Sequence, residues 1–175
     1  MSIFKRRKRL AIIITVFLSV VIIGSCAPAI KYSYDMTTNF SEQKSYSWAP
    51  LSAMYGQDPL LVTNVQVLVD QVLTKKGFTR MSENSDLMIS MSYESEYIGG
   101  DQYYQLRMLT LNIYKITHEM PSPSDMPKMS MHQGKAIENK DLVWRGTAFG
   151  TINTDAASGD LREAVKGILS NFPPK

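Results

Sequence analysis

The sequence predicts an α+β domain: an antiparallel β-sheet of about five strands with two helices packed on one face. Three observations carry that expectation. Several segments alternate apolar and polar residues with a period of two, two segments repeat apolar residues at helical spacing, and each helical segment has its own start and stop residues. With 175 residues, 44% of them hydrophobic and 20% charged, the chain has room for one packed domain. Its single Cys excludes an internal disulfide framework, and its apolar content excludes a disordered or collagen-like chain.

The domain is expected over residues 32–175. Tyr32, Tyr34 and Met36 alternate with Ser33, Asp35 and Thr37, which fits a strand. Phe40 leads into Ser45-Tyr46-Ser47-Trp48, a second short strand ended by Pro50. Asp58-Pro59 reads as a helix start, with the Asp as N-cap and the Pro at the first helical position. Leu61, Val65, Leu68 and Val72 then share one face, and Gly77 is placed to end a helix over about 59–76. Along 86–93, Leu87, Ile89, Met91 and Tyr93 face away from Met88, Ser90 and Ser92. A turn around Gly99-Gly100-Asp101 precedes a strand over about 103–117, in which Leu109, Leu111 and Ile113 point one way. Residues 117–141 read as a long loop rich in Met, Pro and Ser, and loops of that length are functional or disordered. A further strand is expected over about 142–152, where Gly146, Ala148 and Gly150 leave a smooth strip for a helix. The last helix, about 159–171, puts Leu161, Val165, Ile168 and Leu169 on one face before Phe172-Pro173-Pro174 stops it.

Residues 1–25 belong to a different physical class. A basic block, Lys5 to Arg9, precedes fourteen residues from Leu10 to Ile23 broken only by Thr15 and Ser19. As a helix that run reaches roughly 21 Å, short of the ~30 Å hydrocarbon core. The pattern is that of an export signal. It ends in Ile23-Gly24-Ser25-Cys26, which resembles the lipobox of bacterial lipoprotein precursors. The resemblance implies diacylglycerol on the Cys26 thiol, cleavage before that residue and acylation of the new amino terminus. Residues 26–31 would then be a lipidated tether. Gly24, Ser25 and Pro28 argue against an uncleaved spanning helix. Ala27 is not the acidic residue of an inner-membrane retention signal, so the expected address is the outer membrane, facing the periplasm. Without the leader the chain carries 14 Lys and Arg against 16 Asp and Glu, a formal charge of −2. No nucleic-acid partner is expected of such a domain.

Asp35 with Phe40, Ser45-Tyr46-Ser47-Trp48, Lys76-Gly77-Phe78, Ser85-Asp86-Leu87, Leu142-Val143-Trp144-Arg145-Gly146 and Phe172-Pro173-Pro174 follow one another along nearly the whole mature chain. Together they resemble the signature of the bacterial lipoproteins of the domain-of-unknown-function 4136 family. The resemblance implies an envelope lipoprotein with an α+β domain, and it brings no catalytic residues. The long 117–141 segment departs from the short turn that the family has before its Trp-Arg-Gly element.

The chemical hints are few. His118, Met120, Met129, Met131 and His132 lie in the long loop, and thioethers with imidazole suit Cu(I); the bland alternative is a solvated loop in a Met-rich chain. Tyr93, Tyr97, Tyr103 and Tyr104 surround the Gly99-Gly100 turn, with Trp144 on a strand that could neighbour them. Such rings can stack on sugar or peptide, or simply stabilise a sheet. Arg145 is expected to partner a nearby carboxylate. Glu94 and Glu96 share a strand face, but nucleophile elbows, zinc-protease helices and phosphate loops are missing from the sequence. The expectation is therefore a non-catalytic envelope lipoprotein without a cofactor, held at the membrane by its lipid, with envelope proteins or peptidoglycan as partners. The alternatives are a small envelope-polymer hydrolase, or soft-metal capture by the 118–132 loop.

Overall fold

Asp58 opens the first helix by accepting the Leu60 N–H on Oδ1 at 2.8 Å, with Pro59 at the first helical position. The same helix closes on Gly77, whose φ of +89° suits a residue without a Cβ. There the Gly77 and Phe78 N–H groups return to the carbonyls of Thr74 and Leu73, both at 3.0 Å, and Phe78 is buried beside them. Lys76-Gly77-Phe78 is thus a helix stop with a hydrophobic latch.

The computed structural model describes residues 28–50, 58–98, 104–119, 137–155 and 159–174, with the backbone alone for 118–119 and 137–139. Six strands form one sheet: β1 (Ala29–Tyr34), β2 (Ser45–Trp48), β3 (Thr79–Arg80), β4 (Leu87–Tyr97), β5 (Tyr104–Glu119) and β6 (Ile137–Asn153). Helix α1 (Pro59–Lys75) lies between β2 and β3, and α2 (Asp160–Leu169) follows β6. The spatial order is β1-β6-β5-β4-β2-β3.

The sheet is mixed, which corrects the purely antiparallel expectation of about five strands. β1, β6, β5 and β4 pair antiparallel, whereas β2 pairs parallel with both β4 and β3. Parallel neighbours need a crossover of a dozen or more residues, and α1 supplies it between β2 and β3. The extra strand, β3, has two residues and no periodicity to read. β1 begins at Ala29, ahead of the expected domain start at 32, and Met36 lies beyond its end. β5 and β6 also continue as a ribbon as far as Glu119 opposite Ile137. Strand therefore occupies both ends of the stretch expected as a 117–141 loop, and 120–136 lie outside the described residues.

Both helices pack on one face. Leu87, Ile89 and Met91 of β4, Leu109, Leu111 and Ile113 of β5, and Ala148 and Ile152 of β6 are buried beneath them. From above come Leu61, Val62, Val65, Val69 and Leu73 of α1, and Leu161, Ala164, Val165, Ile168 and Leu169 of α2. Leu68 and Val72, expected to share that face with Leu61 and Val65, pack against the core half-buried. The small strip works as expected at Gly146 and Ala148. At Gly150 it does not: the nearest neighbour of an added Cβ there is the Pro28 backbone, at 3.7 Å.

Candidate functional site

Alternation assigns the uncovered face of the sheet. Residues directly opposite one another in the antiparallel ladders share a face. Ser90 of β4, Asn112 of β5, Arg145 of β6 and Ser33 of β1 make one row across it, and Ser92, Thr110, Thr147 and Lys31 make the next. Thr110 and Thr147 join Oγ1 to Oγ1 at 3.0 Å. Arg145 donates from Nε to Asn112 Oδ1 at 2.7 Å, so its partner is an amide rather than the expected carboxylate. Lys31 holds its Nζ 5.3 Å from the centre of the Phe149 ring. The result is a face on which Ser92, Arg145 and Lys31 stand exposed beside the partly exposed Phe149 ring, while the Thr110–Thr147 pair is buried at its centre.

The tyrosines converge as their spacing suggests, but their hydroxyls are engaged. Tyr104 donates its hydroxyl to Asp58 Oδ2, and the Tyr93 hydroxyl accepts the Asp58 N–H at 2.8 Å. The ring of Tyr97 meets that of Tyr104 edge-on, centroids 6.5 Å apart. Asp58 therefore fastens the start of α1 to the ends of β4 and β5. Sequence reasoning saw in it a helix cap and missed this second role; no periodic pattern reports where a loop acid will meet two tyrosines. Tyr103 lies outside the described residues. Trp144 does not join the group: it pairs with Ile113, nine residues along β5 from Tyr104, or about 30 Å.

Trp144 belongs to an aromatic stack. It is buried, its ring lies across Gly146, and it meets Phe172 at 5.3 Å between centroids. Phe172 in turn meets Phe40 and Phe78 at 5.7 and 5.6 Å. Trp144 Nε1 is, among the described residues, the one buried side-chain polar atom without a hydrogen-bond partner.

A second knot went unseen in the sequence. Asp70 of α1 accepts from the Tyr46 hydroxyl at 2.8 Å and from Trp48 Nε1 at 3.1 Å on one oxygen, and from Arg80 Nη1 at 2.7 Å on the other. Asp86 similarly gathers the Lys44 N–H, the Ser45 N–H and the Ser45 hydroxyl on Oδ2 at 2.7–2.8 Å. The signal available was an acid between Val69 and Leu73, on the inner side of an amphipathic helix.

Of the other candidates, His118 stands in β5 opposite Glu138. Its side chain, with Met120, Met129, Met131 and His132, lies outside the described residues, as do Ile23, Gly24, Ser25 and Cys26. Among the described residues no group of three or more His, Cys, Asp or Glu could hold a metal ion. Glu96 pairs with Arg107, and Glu94 is exposed, so these carboxylates do not form a buried pair.

Hydrogen bonding sets the electrostatics at Asp58. The Tyr104 hydroxyl first, and the Leu60 and Leu61 N–H groups after it, hold this carboxyl below its ordinary value against the opposing effect of burial. A depressed folded value means that the stability it contributes is complete above the unfolded carboxylate range near pH 4, and is lost as pH falls through the lower folded value. In urea titrations, the wild-type midpoint should exceed that of Asp58→Asn at pH 7, and the gap should shrink at pH 3. An equal gap at both values would refute the assignment.

The family profile "Domain of unknown function (DUF4136)" matches residues 30–174. No curated protein matches the chain. Among solved structures, the chain is similar to a PDZ domain protein from Parabacteroides distasonis, with a TM-score of 0.55 and 15% identity over 85% of this chain and 36% of that one. It thus spans about a third of that protein. It is also similar to a DUF4136 family protein from Bacteroides thetaiotaomicron, at TM-score 0.50 and 13% identity, covering 83% of this chain and 94% of the other. The PelC dodecamer from Paraburkholderia phytofirmans gives 0.50 and 14%, covering 81% and 94%. At such identities the likeness concerns the fold. With the profile matching residues 30–174, most of the chain, the chain belongs to the DUF4136 family.

Proposed function

We propose that the protein is a cell-envelope lipoprotein, held by a lipid on Cys26 at the outer membrane with its domain in the periplasm, and that its role is non-catalytic binding or scaffolding. The observation that supports the binding role is the one-sided architecture. Two helices cover one face of a six-stranded sheet, while the opposite face leaves Ser92, Arg145 and Lys31 exposed and Ser90 and Asn112 half-buried, with Thr110 and Thr147 buried between them. An open sheet face of hydroxyls, amides and cations suits a protein or glycan partner, with hydrogen bonds fixing orientation and Phe149 offering apolar contact. The tyrosine turn is the weaker docking candidate, because the hydroxyls of Tyr93 and Tyr104 are already bonded to Asp58.

Two measurements test the proposal. Mass spectrometry of the membrane fraction should find a diacylglyceryl, acylated Cys26 as the first residue, and Cys26→Ala should move the protein out of that fraction. A mature protein beginning elsewhere, or one freely released by lysis, would refute the anchor. A photocrosslinker at Ser92 or Asn112 in living cells should trap one discrete envelope partner, whereas one at Arg162, exposed on α2, should not. Equal labelling from both faces would reject the sheet face as the binding surface.

A further inference from the structure

The ladders fix the end of the sheet at which β1 starts. Ala29 of β1 lies opposite Phe149, Phe149 opposite Met108, and Met108 opposite Glu94. β1 and β5 are both antiparallel to β6 and so run the same way. The chain before Ala29 therefore leaves toward the end where β5 starts at Tyr104 and β4 finishes at Tyr97. Cys26 precedes Ala29 by three residues and can stand at most about 11 Å from it.

Large apolar side chains gather at this end. Four in the described residues are more than half exposed: Met36 at 84%, Tyr97 at 81%, Leu60 at 69% and Ile98 at 51%. Met36 follows the far end of β1, whereas the other three lie at the end where β1 starts. Tyr97 and Ile98 close β4, and Leu60 stands in the first turn of α1, whose cap Asp58 is bonded to Tyr104. Ile98 and Tyr104 also line a cleft of ≈ 640 Å³ with Asp155 and Asp160. An amphipathic ring beside aliphatic side chains is the composition that settles at the headgroup level of a bilayer. At this end Asp58, Asp155 and Asp160 outnumber the exposed Arg162, and Glu96 is matched by Arg107, a balance that disfavours an anionic surface and favours a zwitterionic one.

We infer that this end of the sheet, through Leu60, Tyr97 and Ile98, rests on the zwitterionic phospholipid interface in which Cys26 is anchored. The inference depends on the lipid-anchor reading above. The domain then stands upright on a two-point base, lipid and side chains, with the β5–β6 ribbon pointing away from the membrane. The lipid alone leaves the domain free to swivel about its tether, and a second contact of this kind fixes its orientation.

The test uses the full lipidated protein in phosphatidylcholine–phosphatidylethanolamine vesicles. A nitroxide is attached at Ile98→Cys, or at Ser41→Cys near the opposite end; the Cys26 sulfur, held in a thioether, takes no label. Collisions with oxygen and with a water-soluble nickel chelate should place residue 98 in the interface and residue 41 in water. Adding Leu60→Ser and Tyr97→Ser should return residue 98 to water. Residue 98 in water in the parent, with lipid on Cys26 verified by mass, would overturn the inference. So would shielding that survives the two serines, which marks the label itself as the driver, or spin–spin broadening, which marks a second copy as the occupant. Absence of lipid on Cys26 would instead overturn the anchor reading, and this inference with it.

Discussion

Replacing Gly146 by valine is expected to lower the melting temperature by about 6–12 °C, the shift that about 3 kcal/mol produces in a domain of this size. A Cβ at this position would stand 2.1 Å from Trp144 Cη2, 2.7 Å from Trp144 Cζ3 and 2.8 Å from Ile168 Cγ2. None of these atoms has room to retreat. The Trp144 ring is buried against Phe172, which is held between Phe40 and Phe78, and Ile168 is buried on α2. Interiors packed at crystal density pass such a clash on to their neighbours rather than absorb it. Gly146→Ala should cost less than valine but remain destabilising, since the first carbon already meets the ring. Thermal unfolding followed by circular dichroism reads both. A valine variant within about 2 °C of wild type would show that the ring can swing away, contrary to the packing described.

This lock explains why parts of the fold were legible and others were not. Trp144-Arg145-Gly146 and Phe172-Pro173-Pro174, two of the six pieces that carried the resemblance, stand almost thirty residues apart, yet they supply two halves of one aromatic stack. The helix limits were readable because Asp58, Pro59 and Gly77 act locally, through one N–H, one fixed φ and one positive φ. The inner faces of β4 and β5 were readable because a half-buried strand shows its period directly. Parallel pairing was not, since β2 has four residues, β3 two, and their alignment depends on where α1 returns the chain. The tyrosine cluster was half legible: proximity in sequence brought Tyr93, Tyr97 and Tyr104 together, but nothing local announced that Asp58 would engage two of their hydroxyls. Trp144 was misplaced for a related reason. Strand membership says which residues share a sheet, whereas register, set by whole ladders, says which lie side by side.

Asp70→Ala is expected to destabilise the domain by about 2–4 kcal/mol, because it strands a buried donor rather than merely deleting a bond. Tyr46 is fully buried, and Asp70 accepts its hydroxyl; burial first, and the bond to Asp70 after it, push the phenol far above its ordinary value. With alanine at 70 that hydroxyl and the half-buried Trp48 N–H lose their shared acceptor. The Arg80 contact contributes little of the effect, since the Arg80 side chain is 52% exposed and exposed ion pairs contribute about 0–1 kcal/mol. The expected order is thus Asp70→Ala worst, Tyr46→Phe intermediate at about 1 kcal/mol, and Arg80→Ala least. The Asp70→Ala/Tyr46→Phe double variant should recover part of the loss, because it removes the stranded Tyr46 hydroxyl and leaves only the half-buried Trp48 N–H without its acceptor. Urea unfolding of the four proteins gives the coupling energy directly, and about 1–2 kcal/mol is expected. Strict additivity of the two changes would mean that the Tyr46 hydroxyl and Asp70 do not stabilise each other, and that Asp70 holds α1 to β2 only through Trp48 and to β3 through Arg80.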